Sequence, residues 1–282
     1  MKLSMLKLPA PAKLNAFLHV VGRRPDGYHT LESLFVPIDR CDRISLEVRG
    51  DGAIVRSKGP DSIVPEEDLV VRAARLLQRR CASSLGVAIE VDKRLPMGGG
   101  LGGGSSDAAT VLLGLNRLWR LGLSRRILME IALELGADVP FFVFGEPAFV
   151  EGAGEKLSAV SFPTTWFIVL CPPANVSTAS VFSAPELTRN SESVTITVFS
   201  EGYGRNDLYA VAAARFPEIV RYRDALARGA LHPEARMTGS GGCVFAAFDS
   251  EAVAQRTLLS MPRDINGFVA RSLIRHPLWS FA

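Results

Sequence analysis

The segment with the strongest chemical signature is Pro96-Met97-Gly98-Gly99-Gly100-Leu101-Gly102-Gly103-Gly104-Ser105-Ser106, followed by Asp107. Six of its eleven residues are glycine. Each glycine costs roughly 0.5–1 kcal/mol against alanine in a regular element, so six need a reason. Without Cβ atoms, backbone N–H groups can turn towards an anion and approach it closely. The residues after Ser105 and Ser106 read as a helix that is apolar almost all round. Its N-terminus would add partial positive charge and unpaired donors. The combination suits a phosphate group, and a flexible turn is the plain alternative. No lysine follows Gly104, which excludes a Walker A loop. A dinucleotide pattern is formally present at Gly98, Gly100 and Gly103. The strand directly before it and the acidic strand end beyond it are missing.

Two charged residues stand in apolar surroundings. Lys13 lies in Pro11-Ala-Lys-Leu-Asn15, and Asp138 follows a helical stretch and precedes Val139-Pro140. A buried ammonium is costly unless paired. If the two meet, each explains the other, and the lysine holds a carboxylate ready to orient a hydroxyl. A strand-end lysine and a helix-stop aspartate are the alternatives. Gly27-Tyr28-His29 closes a turn-rich connection, where a ring could be stacked and its edge hydrogen-bonded. Residues 235–243 form a second small-residue loop that leads into a strand.

Taken in order, Pro11-Ala-Lys-Leu-Asn15, the glycine–serine loop and Thr238-Gly-Ser-Gly241 resemble the GHMP small-molecule kinases. These phosphorylate galactose, homoserine, mevalonate and related compounds. Three longer runs narrow the likeness: Arg24-Pro-Asp-Gly-Tyr-His-Thr-Leu31, residues 92–106, and Gly136-Ala-Asp-Val-Pro-Phe-Phe142. They are similar to the members that phosphorylate a cytidine diphosphate-linked methylerythritol in the non-mevalonate isoprenoid route. The likeness runs from about residue 11 to 268 and is loosest over 183–235.

The resemblance implies an α+β fold of two domains, an ATP-binding domain over 1–157 and a ferredoxin-like domain over 158–282, with the active site in the cleft between them. It implies transfer of the γ-phosphoryl group of ATP to the 2-hydroxyl of the erythritol moiety. Asp138 would be the catalytic carboxylate and Lys13 its partner. Pro96 to Ser106 would cradle the ATP phosphates, and Ser106 would touch Mg²⁺. Lys93 and Leu69 would lie near the adenine. Tyr28 and His29 would read the cytosine with Phe182 stacked on it, and Asn15 and Thr178 would contact the substrate. Several members have Asn where this chain has Asp68, which leaves adenine contact to backbone groups near Leu69 and Val70. Another GHMP kinase, a silent ligand-binding relative and a nucleotide-dependent oxidoreductase are the competing readings.

Helices from Asp68 to about Arg80, at about 106–119 and at 124–136 must present these groups, with Ser124 as an N-cap and Gly136 as a stop. Strands are expected at 14–21, 31–38, 43–48 and 87–91. Beyond a polar boundary at 158–165, strands are expected at 166–171, 243–248 and 268–272. Helices are expected at 208–216, 218–228 and 251–259, with a loop over 183–205. The chain has 282 residues, 48% hydrophobic and 22% charged, which excludes a disordered or coiled-coil protein. A net charge of +3 is too weak to argue for nucleic acid. No apolar run approaches the length needed to span a bilayer. Four scattered cysteines and four histidines give no zinc or disulfide pattern. The expectation is a cytoplasmic monomer or weak homodimer that binds small molecules, with neither nucleic acid nor membrane as partner.

Overall fold

The chain opens on a hairpin of unusual length. In the computed structural model, which describes residues 5–25, 27–193, 204–229 and 234–282, β1 (Met5–Arg23) pairs antiparallel with β2 (His29–Arg49). Average strands have about 5–6 residues. The register slips between Pro11 and Ala12, Asn15 and Phe17, and Val20 and Gly22. Such bulges bend and twist a ribbon, so one hairpin serves the cores of both sheets and, through Leu14, Phe17, Val36 and Ile38, a third cluster shared with Phe167 and Phe245. Leu8, Ala10, Ile44 and Leu46 enter the first core, whereas Leu18 and Val20 enter the second. Lys13 is therefore not at a strand end but well inside β1.

The first sheet is completed by β3 (Ile54–Lys58), β4 (Gly86–Asp92), β5 (Ala148–Gly152) and β6 (Lys156–Ala159). β2 lies between β4 and β5, β3 runs parallel to β4, and β6 pairs with β5. Its core is closed by α1 (Leu69–Arg80), α2 (Gly103–Leu118), α3 (Arg125–Leu133) and α4 (Val139–Phe144). Every residue of α2 from Ser106 to Asn116 is buried, as an all-round apolar helix requires.

The second sheet has β7 (Trp166–Leu170), β8 (Arg236–Met237), β9 (Val244–Phe248) and β10 (Gly267–Arg271) in the order β10-β7-β9-β8. All three pairings are antiparallel. α5 (Thr178–Phe182), α6 (Tyr209–Arg215) and α7 (Pro217–Gly229) connect β7 to β8, and α8 (Glu251–Leu259) connects β9 to β10. This is the β-α-β-β-α-β plan of a ferredoxin-like unit. β6 stays with the first sheet, and residues 160–165 carry the chain across to the second.

Two helix limits differ from expectation. α2 starts at Gly103 rather than at Ser106, because glycines of low helix propensity form its first turn. α3 is capped by Ser124 as expected but stops at Leu133, and a separate helix, α4, opens after Asp138. Residues 183–193 have no helix or strand, in line with the expected loop, and residues 194–203 of that loop lie outside the described part.

Candidate active site

A cleft of about 410 Å³ runs between the two sheets. Lys13 and Asp138 stand in its wall, 3.6 Å apart. Lys13 is buried to 3% exposure, with its Nζ also donating to Asn15 Oδ1 and lying 4.5 Å from the ring centre of Phe35. Burial pulls the Lys13 ammonium below its ordinary protonation range, and Asp138 works against that pull. Asp138 is the cleft-facing partner, with 35% of its side chain exposed. It occupies the N-cap position of α4 but makes no capping bond of its own, so its carboxylate is left to the cleft. The sequence placed it only behind a helix end. The apolar run 141–144 is too short to reveal a helix by periodicity.

The glycine loop has two halves with different reasons for being glycine. Gly98, Gly100 and Gly102 have φ near +70°, a region that other residues rarely enter. A Cβ on Gly98 would come within 2.5 Å of Asn175 Oδ1, on Gly99 within 2.6 Å of Cys243 Sγ, and on Gly100 within 2.1 Å of the Thr238 carbonyl oxygen. The first half is thus pressed against the loop at 238–243. Cys243 N–H donates to Gly99 O at 3.1 Å, and Thr238 Oγ1 donates to Gly100 O at 3.3 Å. Thr238 Oγ1 also accepts from Asn15 N–H at 3.0 Å, which ties both loops to β1.

The second half faces the cleft. Gly102 caps α2 without a side chain, and a Cβ on Gly104 would meet nothing nearer than Leu69 at 3.7 Å. The first amides of α2 therefore have no side-chain cap and open on a cavity also lined by Gly102, Gly103 and Ser105. Lys13 N–H, donating to Leu101 O at 3.0 Å, brings the loop beside the Lys13–Asp138 pair.

Beyond α2 the cleft is apolar, lined by Pro60, Ile63, Leu69 and Val91, with Pro96 and Met97 across from them in the loop. Asp68 accepts from Val70 N–H at 3.2 Å as the cap of α1 and pairs with Arg56 at 2.6 Å. Its two oxygens are thereby engaged. The departure from asparagine is accommodated by an arginine that also donates to the carbonyls of Pro60 and Ile63. The Lys93 ammonium does not point freely at a base. It bridges Asp42 and Asp107, with 2.7 Å to Asp107. Asp42, fully buried, also accepts from the backbone of Arg94 and Leu95. Burial first, and the Asp42 charge as well, push the Asp107 carboxyl up to about 7 although Lys93 pulls the other way.

At the opposite end the lining includes Asn15, Leu31, Thr178, Phe182 and Ser240. Asn15 Nδ2 donates to Ser33 Oγ at 2.9 Å, and Thr178 and Ser240 share a hydrogen bond of 2.6 Å. His29 is not in the lining itself but adjoins it through Phe182, 5.1 Å away between ring centres and inclined at 32°. Tyr28 is 65% exposed and also stands outside the lining.

Two family patterns match the chain, GHMP kinases N terminal domain over residues 68–146 and GHMP kinases C terminal over 200–265. A 4-diphosphocytidyl-2-C-methyl-D-erythritol kinase of Thiobacillus denitrificans is 56% identical over 97% of either chain. The chain belongs to the 4-diphosphocytidyl-2-C-methyl-D-erythritol kinases. A crystal structure of a 4-(cytidine 5'-diphospho)-2C-methyl-D-erythritol kinase superposes with a TM-score of 0.83 at 33% identity, covering 95% of this chain and 99% of that one. A homoserine kinase from Cytophaga hutchinsonii shares the fold, with a TM-score of 0.68 at 18% identity over 96% and 95% of the two chains. Among the described residues, no helix is long and apolar enough to cross a membrane.

For a 4-diphosphocytidyl-2-C-methyl-D-erythritol kinase the structure gathers most of the expected residues into one cleft: Lys13, Asp138, Asn15, Leu69, Lys93, Thr178, Phe182 and the loop over 96–105. Tyr28, His29 and Ser106 are the exceptions. Ser106 is fully buried, its Oγ has no partner, and it is absent from the lining. Consecutive helical residues point about 100° apart, so a helix that shows Ser105 to the cleft turns Ser106 into the core. Ser106 as placed offers no contact to a metal ion. Asp42, Asp107, Arg56 and Arg189 escaped the sequence reading. Only Asp107 carried a signal, an acid placed directly after a phosphate-type loop.

Proposed function

We propose that this chain transfers the γ-phosphoryl group of ATP to the 2-hydroxyl of 4-diphosphocytidyl-2-C-methyl-D-erythritol, giving the 2-phosphate and ADP, in the cytoplasmic non-mevalonate route to isoprenoids. The observation that carries the chemistry is the Lys13–Asp138 pair held beside the uncapped start of α2. Phosphoryl transfer asks mainly for positioning and charge neutralisation. The amides at 103–105 and the partial charge of α2 would take the phosphates. Asp138 would accept the hydrogen bond of the attacking hydroxyl and align it with the γ-phosphorus. Lys13, fixed by Asn15 and Phe35, would keep Asp138 in place and meet the charge that gathers on the transferring group. The apolar walls at Leu69 and Val91 suit an adenine, and Phe182 with His29 suits a cytosine.

Magnesium typically binds one or two carboxylates, several waters and substrate phosphates. Of the carboxylates that line this cleft, Asp68 is engaged by Arg56 and Asp107 by Lys93, which leaves Asp138, with the Ser105 hydroxyl, as donors near the loop and fits an ion that enters on the nucleotide rather than one caged by the protein. When bound, it would neutralise phosphate charge.

The test is ADP release with ATP and magnesium on the cytidyl substrate, beside a panel of mevalonate, homoserine and galactose. Turnover confined to the cytidyl substrate is expected, and turnover on the panel alone would remove the base-recognition half of the reading. Asp138→Asn should lower kcat by about 10²–10⁴ with little change in ATP affinity. An unchanged kcat would take Asp138 out of the reaction.

A further inference from the structure

Arg189 lies in the loop after α5 and takes no part in the nucleotide chemistry. All five of its N–H donors have acceptors. Nη1 donates to the carbonyls of Pro185 at 3.4 Å and Leu187 at 3.0 Å, and Nη2 to those of Phe182 at 3.1 Å and Ala184 at 2.7 Å. The fifth, Nε–H, donates to His29 Nε2 at 3.0 Å. A guanidinium has no acceptor and keeps its proton, so the imidazole nitrogen facing it must be the bare one. The proton of the neutral ring then sits on Nδ1. The same guanidinium grips the backbone at the end of α5, where Phe182 places its ring against His29. One cation fixes both groups.

We propose that Arg189 is a positioning residue for base recognition: it locks His29 as the Nδ1–H tautomer, so that the imidazole offers an N–H donor to the pyrimidine, and it seats Phe182 beside it. This rests on the assignment of His29 to the cytosine made above. Cytosine has acceptors at O2 and N3 that match such a donor, and its exocyclic amine does not. Arg189 and Arg23 are the charged groups facing His29. Burial foremost, then these two cations, depress its protonation, so at neutral pH it is a neutral donor and not a cation.

Long-range ¹H–¹⁵N spectra of the imidazoles report the tautomer of the free protein directly. In the wild type at pH 8, His29 should show a protonated Nδ1 and a bare Nε2. Arg189→Met should lose that preference and raise KM for the cytidyl substrate about tenfold or more, with kcat and the KM for ATP changing far less. Arg189→Lys, which keeps a donor towards His29, should retain the tautomer and recover most of the KM. A wild-type His29 protonated at Nε2, or an Arg189→Met variant with the tautomer unchanged, would overturn the proposal. So would a lost tautomer with an unchanged KM. In that last case His29→Ala separates the two readings: an unchanged KM there means that His29 does not touch the base.

Discussion

Lys13 is a charged group in a place that favours its neutral form. Burial lowers its protonation from the ordinary 10.5, and Asp138 is the group that opposes the fall without cancelling it. The sign of the coupling follows. Removing the carboxylate charge must let the Lys13 ammonium lose its proton at lower pH, because the opposing effect of burial remains. In Asp138→Asn, a ¹³Cε titration of Lys13 should therefore move to lower pH than in the wild type. A titration that stays in place would mean that the 3.6 Å pair is geometric only. In the wild-type enzyme the same reasoning gives an alkaline fall in kcat that begins below the range of a free lysine. A pH–rate profile with magnesium-ATP saturating would show it.

At the scale of elements, the start of α2 carries the densest set of demands. Its glycines must leave amides open to the cleft, while Asp107, one turn on, is buried beside Lys93 and Asp42. The Asp107 carboxyl stands at about 7 in the fold against 3.8 ordinarily, and one of its oxygens has no hydrogen-bond partner. The folded protein thus holds a proton that the unfolded chain releases between about pH 4 and 7. Its cost to stability grows across that window and is full above pH 7. Asp107→Asn keeps an acceptor for Lys93 and removes the second buried charge. It should stabilise the protein by roughly 1–3 kcal/mol at pH 8, after the cost of an unpaired amide, and by almost nothing at pH 4. Urea unfolding at the two pH values checks this, and an equal effect at both would refute it.

The phosphate-type loop itself was legible because glycine repetition has few physical causes. Helices α1 and α8 and strands β9 and β10 were legible within a residue or two from periodicity. What sequence could not give was pairing across distance. The contact of Gly100 with Thr238, the bridge from Lys93 to Asp42 and the bond from Arg189 to His29 join residues 138, 51 and 160 positions apart. No local pattern encodes them. β3, β5, β6 and β8 were missed for a related reason, since strands of two to five residues take their form from the neighbours they pair with rather than from alternation.

On the scale of the whole molecule, the two sheets are joined at both ends of the chain. The β1–β2 hairpin feeds both cores, and after β10 the chain returns to the first one. Leu273 N–H donates to Pro37 O at 2.8 Å, His276 N–H to Gly145 O at 2.7 Å, and Leu278 is buried in the first core. Asn116 of α2 holds the last turn through Phe281 O at 2.9 Å. His276 is the titratable group in this strap, 2% exposed, with Nδ1 accepting from Leu278 N–H at 3.1 Å. Burial, and then the Arg125 charge, lower its protonation to about 4 from 6.5. The unfolded chain therefore binds a proton that the fold refuses between these values. Stability is lost as the pH falls from 6.5 towards 4, by about 2–3 kcal/mol between pH 7 and 4.5. His276→Asn, whose Oδ1 can accept from Leu278, should lose that share of its acid sensitivity while staying folded at pH 7. If wild type and variant lose the same stability on acidification, the strap is not where acid acts. If the variant instead weakens substrate binding at pH 7, the strap also sets how closely the two walls of the cleft approach.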